Sequence, residues 1–300
     1  MDRPPGTVVY TQFLSERGGI VADVTVTRLD ERRFMVVTGA GSVASDLGWL
    51  AINARDGDGQ VELRDASEEL AVIGLWGPAA RDVLAAVTRD DVSADMLPFR
   101  TALSVRIGGA SVLAQRIAYV GELGFELYVE PRWAVQVWDR LFAAGRAFGI
   151  EPAGYRVLDG LRMEKGYRYF GTDLTARDTP DEAGLSFCVA GDRKPDFIGR
   201  ASLEAARERG LERRIRTLLV GDDEYVTVYG GEAVHAAGEV VGRLRSCAYG
   251  YTVGRNLAYA YLPVEFDPGS SVEVEVFGRR VPAQVAADVL YDPEGRRLRS

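Results

Sequence analysis

The chain has 300 residues, 47% of them hydrophobic and 27% charged, which is enough for about two or three packed domains and too apolar for disorder. A formal net charge of −8 leaves no basic surface to neutralise a phosphate backbone, so nucleic acid is excluded as the main partner. Cys188 and Cys247 are the only cysteines and form no C-x-x-C pair. No segment approaches the roughly 20 apolar residues of a membrane span, so the reading is a cytoplasmic protein without disulfide scaffold, export signal or membrane anchor.

Gly6 to Val37 reads as a β-meander: TVVYTQFLSE, a turn at RGG, IVADVTVTRL, then RRFMVVTG, all dense in β-branched and aromatic residues. A helix is predicted from about Ser42 to Asn53, and RDGDGQ supplies a turn. EELAVIG reads as a strand, and GPAARDVLAAVT as a helix with proline in its first turn, where no hydrogen bond is lost. TALSVRI, SVLAQRIAYV and GFELYVE read as strands. A long amphipathic helix from Arg132 to Phe148 groups Trp138, Leu141 and Phe142.

Another helix spans about Gly154 to Lys165, followed by YRYFGTDLTARDTPDEAGLSF, rich in Gly, Pro and Asp yet dotted with aromatics, which reads as an ordered loop near a site. From Arg213 short strands recur (RTLLVG, EVVGRLRS, NLAYAYL, SVEVEVF, RRVPAQVA), the pattern of a small antiparallel barrel. The expected division is 1–65, 66–198 and 199–300, two α+β domains followed by the barrel, with the last boundary between 195 and 212.

The sole histidine, His235, lies in the polar stretch GGEAVHAAGE, which reads as an exposed hairpin tip. Histidine triads and histidine-rich metal sites are thereby disfavoured, no metal is expected, and acid–base work falls to carboxylates and tyrosines. VVTGAGSVASDLGWL has the G-x-G-x-x-A outline of a dinucleotide-binding turn. The hairpins before it are not the parallel βαβ unit such a turn requires, so it reads as a strand-to-helix turn built from small residues.

Three segments hold candidate chemistry. Asp23 follows the paired Gly18 and Gly19 among Ile20, Val21, Val24 and Val26, where a carboxylate is costly unless partnered. It is either a structural acid or a group whose pKa and direction are set by burial. In YVGELGFELYV, strand alternation puts Phe125, Leu127 and Val129 on one face and Glu126 and Tyr128 on the other. A strand glutamate there either faces solvent or holds a planar amidine-like edge, such as a pterin's, by two parallel hydrogen bonds. In GLRMEKGYRYFGTDLT, Arg162, Glu164 and Lys165 read mostly as helix surface. Gly171 to Asp173 reads as a turn allowing close backbone approach to a ligand.

Together YTQFLSERGGIVADVTVTRL, YVGELGFELYVE, LRMEKGYRYFGTDL, TPDEAGLSF, FIGRASL, RSCAYGYTVGRNLAYAYL and VLYDP resemble, in order and over almost the whole chain, the glycine cleavage T-protein superfamily. The likeness is greatest to the folate-binding C-terminal half of dimethylglycine and sarcosine dehydrogenases. The resemblance implies an α+β, ring-like multi-domain fold ending in a β-barrel, with tetrahydrofolate as cofactor and one-carbon transfer from a methylated donor. Tyr10 and Asp23 match the tyrosine and essential aspartate of the family's Y-T to G-G-I-x-x-D segment. Tyr119 and Glu126 match the pterin-contacting pair of Y-x-G-E-x-G-F-E. These four are the expected folate-binding residues, with Asp23 also catalytic, placed to orient the reacting amine and assist proton movement.

Three departures bear on the partners. The family carries about one further half-domain before the segment equivalent to Gly6. Leu158 stands where T-proteins proper have an arginine, which argues against a lipoyl-protein substrate. No part of the sequence reads as the flavin half of the dehydrogenases, so the resemblance implies a methylated small-molecule donor and a flavin-dependent oxidase or dehydrogenase subunit as partner. The alternative is a non-catalytic folate-binding or scaffolding subunit of such a complex. The cysteine motif of the tRNA-modifying relatives is absent.

Overall fold

The computed structural model describes residues 3–54, 61–189, 196–222 and 224–300; the turn expected at RDGDGQ lies outside the described residues. Two compact units are built from interleaved stretches of chain. The first holds Met1–Tyr10, Val24–Ala153 and Glu294–Ser300, the second Thr11–Asp23 and Gly154–Pro293.

The predicted meander is present as β1 (Val8–Leu14), β2 (Ile20–Arg28) and β3 (Phe34–Val37), in that order in one sheet. β3 runs antiparallel to β2, so the G-A-G turn behind it is not part of a parallel βαβ unit. It leads instead into α1 (Val43–Ala54), where the Thr38 hydroxyl donates to the buried Asp46 carboxylate. An acid in the first turn of a helix suits the dipole there.

The body of the first unit is a four-stranded antiparallel sheet in the order β4-β7-β6-β5: β4 (Ala71–Trp76), β5 (Ala102–Ile107), β6 (Ala110–Gln115) and β7 (Gly124–Val129). Helices α2 (Ala80–Val87) and α3 (Pro131–Gly145) cover one face. Alternation does the sorting: Leu75, Val112, Ala114, Phe125, Leu127 and Val129 point into a core completed by Val83, Leu84, Val137 and Leu141 of the helices. Val72, Gly74, Trp76, Leu113, Gln115, Glu126 and Tyr128 are thereby left on the other face.

The second unit ends in the expected barrel. Six strands close in the order β10-β11-β8-β13-β12-β9: β8 (Arg213–Val220), β9 (Ala233–Ala236), β10 (Glu239–Gly250), β11 (Arg255–Pro263), β12 (Ser271–Val276) and β13 (Arg279–Ala286). Closure removes the free edges, and Leu218, Val234, Ala260 and Val274 are among the residues that fill the interior. α4 (Val157–Glu164) packs on β10 and β11, while α5 (Arg200–Arg209) lies where a domain boundary was expected.

Arg162 and Glu164 of α4 and the residue after it, Lys165, are not surface. Arg162, Glu164 and Lys165 are 2%, 1% and 6% exposed, which corrects the helix-surface reading. Arg162 pairs with the fully buried Asp173 at 2.6 Å and donates to Ser246 Oγ, while Asp173 also accepts the Tyr169 and Ser246 amides. Glu164 accepts the Thr252 and Val253 amides, and Lys165 pairs with Asp292 at 3.0 Å. Side chains this long and polar look like helix surface in sequence because their partners lie some 10 to 130 positions away. Removing one member of such a pair strands a buried charge. Asp173→Ala is expected to lower stability by about 3–5 kcal/mol in chemical denaturation followed on the barrel; a loss under about 1 kcal/mol, the scale of a surface pair, would contradict the assigned role.

Candidate functional site

Glu126 sits mid-strand on β7, on the sheet face away from the helices, flanked in register by Gly74 of β4 and Gln115 of β6. It is half-buried, and Tyr128, two residues on and only 4% exposed, donates its hydroxyl to Glu126 Oε2 at 2.5 Å. The solvated outer face considered from sequence is therefore not what this strand presents. Burial pushes the Glu126 carboxyl above the usual glutamate range, opposed by the Tyr128 hydrogen bond. Burial, and then the neighbouring carboxylate, push the Tyr128 phenol up in turn, so it stays a donor. A shielded carboxylate with one neutral partner has lone pairs left for a planar N–H-rich group.

The surroundings of Glu126 are equally specific. A Cβ on Gly74 would fall 2.4 Å from Trp76 Cζ2, and one on Gly124 2.2 Å from Trp76 Cδ1, so the indole lies flat across both glycines beside Glu126. Its Nε1 is enclosed and has no hydrogen-bond partner among the described residues. Gln115 is 0% exposed, and neither Oε1 nor Nε2 has a partner among the described residues.

Tyr119 lies in the Ile117–Leu123 connection between β6 and β7 and is half-buried. That connection folds back over the same corner: the position a Gly124 Cβ would take is 3.0 Å from Ala118 Cβ, and Gly77 N donates to Leu123 O. The structure thus brings the Tyr119 loop and Glu126 to one face of one sheet.

Tyr10 lies on β1 in the first unit and Asp23 on β2 in the second. Asp23 alternates away from the buried Ile20, Ala22 and Val24, so it is half-buried rather than sunk in apolar surface as its neighbours suggested. Gln12 Nε2 donates to Asp23 Oδ1 at 2.9 Å. The strand carrying it is anchored at its start. A Cβ on Gly19 would stand 2.0 Å from Ala176 O, Ile20 N donates to Asp178 O, and Ser202 Oγ donates to Glu16 O. Gly19 is needed because main chain meets main chain there, and Gly18 because its φ of +79° is left-handed.

Other candidates turn out to be structural. His235 is 4% exposed, inside β9 and bonded through Nε2 to Glu275 at 3.1 Å, so the exposed-tip reading was wrong. The short AVHA strand reads as a turn because glycines flank it closely on both sides. In the Gly171–Asp173 turn no atom approaches the Cβ position of Gly171, and Asp173 is directed inward to Arg162. Burial pushes the Cys247 thiol up to about 12, which leaves it inert as a nucleophile.

Comparison with known proteins gives the family of the chain. Residues 1–193 match the GCVT N-terminal domain, and residues 213–292 the glycine cleavage T-protein C-terminal barrel domain. The chain belongs to the glycine cleavage T-protein family. It is 38% identical over 291 residues to an aminomethyltransferase of Streptomyces coelicolor, covering 96% of this chain and 77% of that one. It is 36% identical over 296 residues to the mitochondrial dimethylglycine dehydrogenase of Rattus norvegicus, covering 98% of this chain but 34% of that one, so it spans about a third of such a relative's length. The crystal structure of the glycine cleavage system aminomethyltransferase T from Bartonella henselae superposes with a TM-score of 0.83 at 27% identity, over 95% of this chain and 77% of that one.

For a T-protein-family chain, sequence reasoning picked out Tyr10, Asp23, Tyr119 and Glu126 but passed over Gln12, Gln115 and Trp76. Each left a faint signal: Gln12 is a polar residue mid-strand, Gln115 ends the alternating ASVLAQ strand on its polar side, and Trp76 stands between glycines in GLWG.

The Glu126 shift has a definite sign. Its folded pKa lies above the unfolded value of about 4.3, so the unfolded chain releases the proton first as pH rises and stability falls across that window. Glu126→Gln removes this term. In ligand-free protein the advantage of Glu126→Gln over wild type in thermal melts is expected to grow between about pH 4 and pH 7; an advantage that shrinks with pH would contradict the assigned burial.

Proposed function

We propose that this chain binds tetrahydrofolate and transfers a one-carbon unit, as methylene or methyl, onto it from an N-methylated small-molecule donor. The observation that carries the reading is the shielded Glu126 carboxylate, braced by Tyr128 on a sheet face that also bears the Tyr119 loop. The residues fit the group. A reduced pterin presents an amidine-like edge, and a carboxylate takes such an edge by two parallel hydrogen bonds worth more together than apart. Trp76, flat on the sheet next to Glu126, offers an aromatic surface for a planar ring.

In this reading Tyr10, Tyr119, Glu126 and Asp23 hold the cofactor, and Asp23 is the catalytic residue. When bound, the folate supplies the nucleophilic nitrogens that accept the carbon. Gln12 donates to one oxygen of the Asp23 carboxylate, and the glycine-anchored start of β2 fixes its backbone, so the carboxylate is held in place to orient an amine N–H and relay a proton. With His235 engaged in the barrel, most of the acceleration comes from holding two reactants together.

The donor class rests on the names of the relatives, a dimethylglycine dehydrogenase and an aminomethyltransferase. A flavin-dependent oxidase or dehydrogenase subunit is the proposed partner, because oxidation of an N-methyl group needs an electron acceptor. A chain with only two cysteines, Cys188 and Cys247, neither in a disulfide, suits a cytoplasmic setting, and among the described residues no helix is long and apolar enough to cross a membrane.

Calorimetric titration with tetrahydrofolate is expected to give a binding isotherm for wild type and a loss of about 2–4 kcal/mol of binding free energy for Glu126→Ala, the scale for truncating one side of a buried charge-assisted pair. Equal affinities would remove Glu126 from the site. Asp23→Ala is expected to weaken folate binding less than Glu126→Ala does and, at saturating folate, to lose turnover by roughly 10²–10⁴-fold; an unchanged rate would exclude Asp23 from the chemistry.

A further inference from the structure

The Glu126 face carries a cost that folding alone does not explain. Gln115 is fully buried, yet both ends of its carboxamide lack a hydrogen-bond partner among the described residues. A buried amide left unsatisfied is destabilising, and native structures keep few of them without a reason. An apolar residue of the same shape would close this part of the sheet without that cost.

The location of Gln115 suggests the reason. It is the direct cross-strand neighbour of Glu126 in the β6–β7 register, and its side chain emerges on the same face, since Val112 and Ala114 of the same strand point into the helix-covered core. Directly opposed residues on one face have Cβ atoms about 4.5–5.5 Å apart, so a planar ligand edge held by Glu126 comes within reach of the next side chain in the row. On the far side of Glu126 the row continues with Gly74, overlain by the Trp76 ring, whose Nε1 is a further buried polar atom of this face without a partner among the described residues. A carboxylate, a carboxamide and an indole N–H side by side form a set of groups that a heteroaromatic ring edge satisfies together.

We propose that Gln115 is a recognition residue of the Glu126 site, its carboxamide pairing with the polar edge of the planar heterocycle that Glu126 holds. The proposal rests on the folate reading given above and adds a specificity determinant to it. The pyrimidinone edge of a reduced pterin presents an amino N–H, a ring N–H and a carbonyl oxygen in a row. Glu126 accepts from the two N–H groups, and Gln115 Nε2, one strand over, donates to the carbonyl. The carboxamide oxygen is left to accept from a further ring N–H, so both orphaned atoms are satisfied by the ligand.

The test uses the full chain with Gln115→Met and Gln115→Leu, which keep most of the volume and remove the amide. Two probes are titrated, tetrahydrofolate and a tetrahydropterin without the aminobenzoyl-glutamate tail, and the ligand-free proteins are melted in parallel. The expected result is a loss of affinity of roughly five- to tenfold for both probes, with ligand-free melting temperatures no lower than wild type. Unchanged affinity in both variants, with wild type binding tetrahydrofolate, overturns the assignment to Gln115 and leaves the folate reading standing. A clearly lowered melting temperature also overturns it, because the amide would then have a structural partner. A loss confined to tetrahydrofolate would put Gln115 on the tail rather than the ring and overturn it as well. If wild type binds neither probe, the folate reading fails and the proposal with it.

Discussion

The organising constraint in the first unit is a half-buried carboxylate on the second face of an antiparallel sheet. One face of β4-β7-β6-β5 is spent on the apolar core under α2 and α3, so strand alternation forces Glu126 and Tyr128 to the other side. A charged strand residue there ordinarily faces solvent. Here the phenol bonded to it is almost wholly buried, and the carboxyl is pushed above its usual range. Two glycines in adjacent strands let an indole lie flat alongside. Each of these features costs stability or restricts the sequence, and their coincidence at one place is characteristic of a ligand site rather than a packing solution.

The second unit meets a different demand, that of holding irregular chain rigid. The loop from Tyr169 to Val189 has little regular structure of its own, and it is held by acids that face inward. Asp173 binds Arg162 and two backbone amides, Asp178 binds the Thr175 amide and hydroxyl together with Arg213, and Glu182 binds Thr179 and Arg213. Buried ion pairs of this kind contribute little net stability but penalise alternatives strongly, because breaking one strands a charge. Through Asp178 O, which accepts the Ile20 amide, this ordered loop reaches the start of the strand that carries Asp23. The placement of Asp23, the carboxylate proposed as catalytic, thus depends on the inward-facing acids that order this loop.

Much of the architecture was legible because it depends on local periodicity. The meander, the helices α2 and α3 and five of the six barrel strands follow from alternation and amphipathic spacing. What the sequence hid is non-local. His235 looks exposed because glycines and alanines surround it, and only closure of the barrel brings Glu275 to it and buries it. Arg162 and Glu164 look like helix surface until Ser246, Thr252 and Val253 arrive from the barrel. Asp23, Tyr119 and Glu126 were legible through their motifs. Gln115 and Trp76 were not, since what sets them apart is buried polar atoms without a hydrogen-bond partner among the described residues, which only the fold reveals.

The central claim, that the Glu126 face receives the ring of a reduced folate, is tested most directly by a crystal structure of the chain with a stable reduced folate such as 5-formyltetrahydrofolate. The account predicts the pyrimidinone edge within hydrogen-bond distance of the Glu126 carboxylate, with the ring beside Trp76. A folate ring bound anywhere else, with Glu126 bonded only to Tyr128 as it is here, would contradict it.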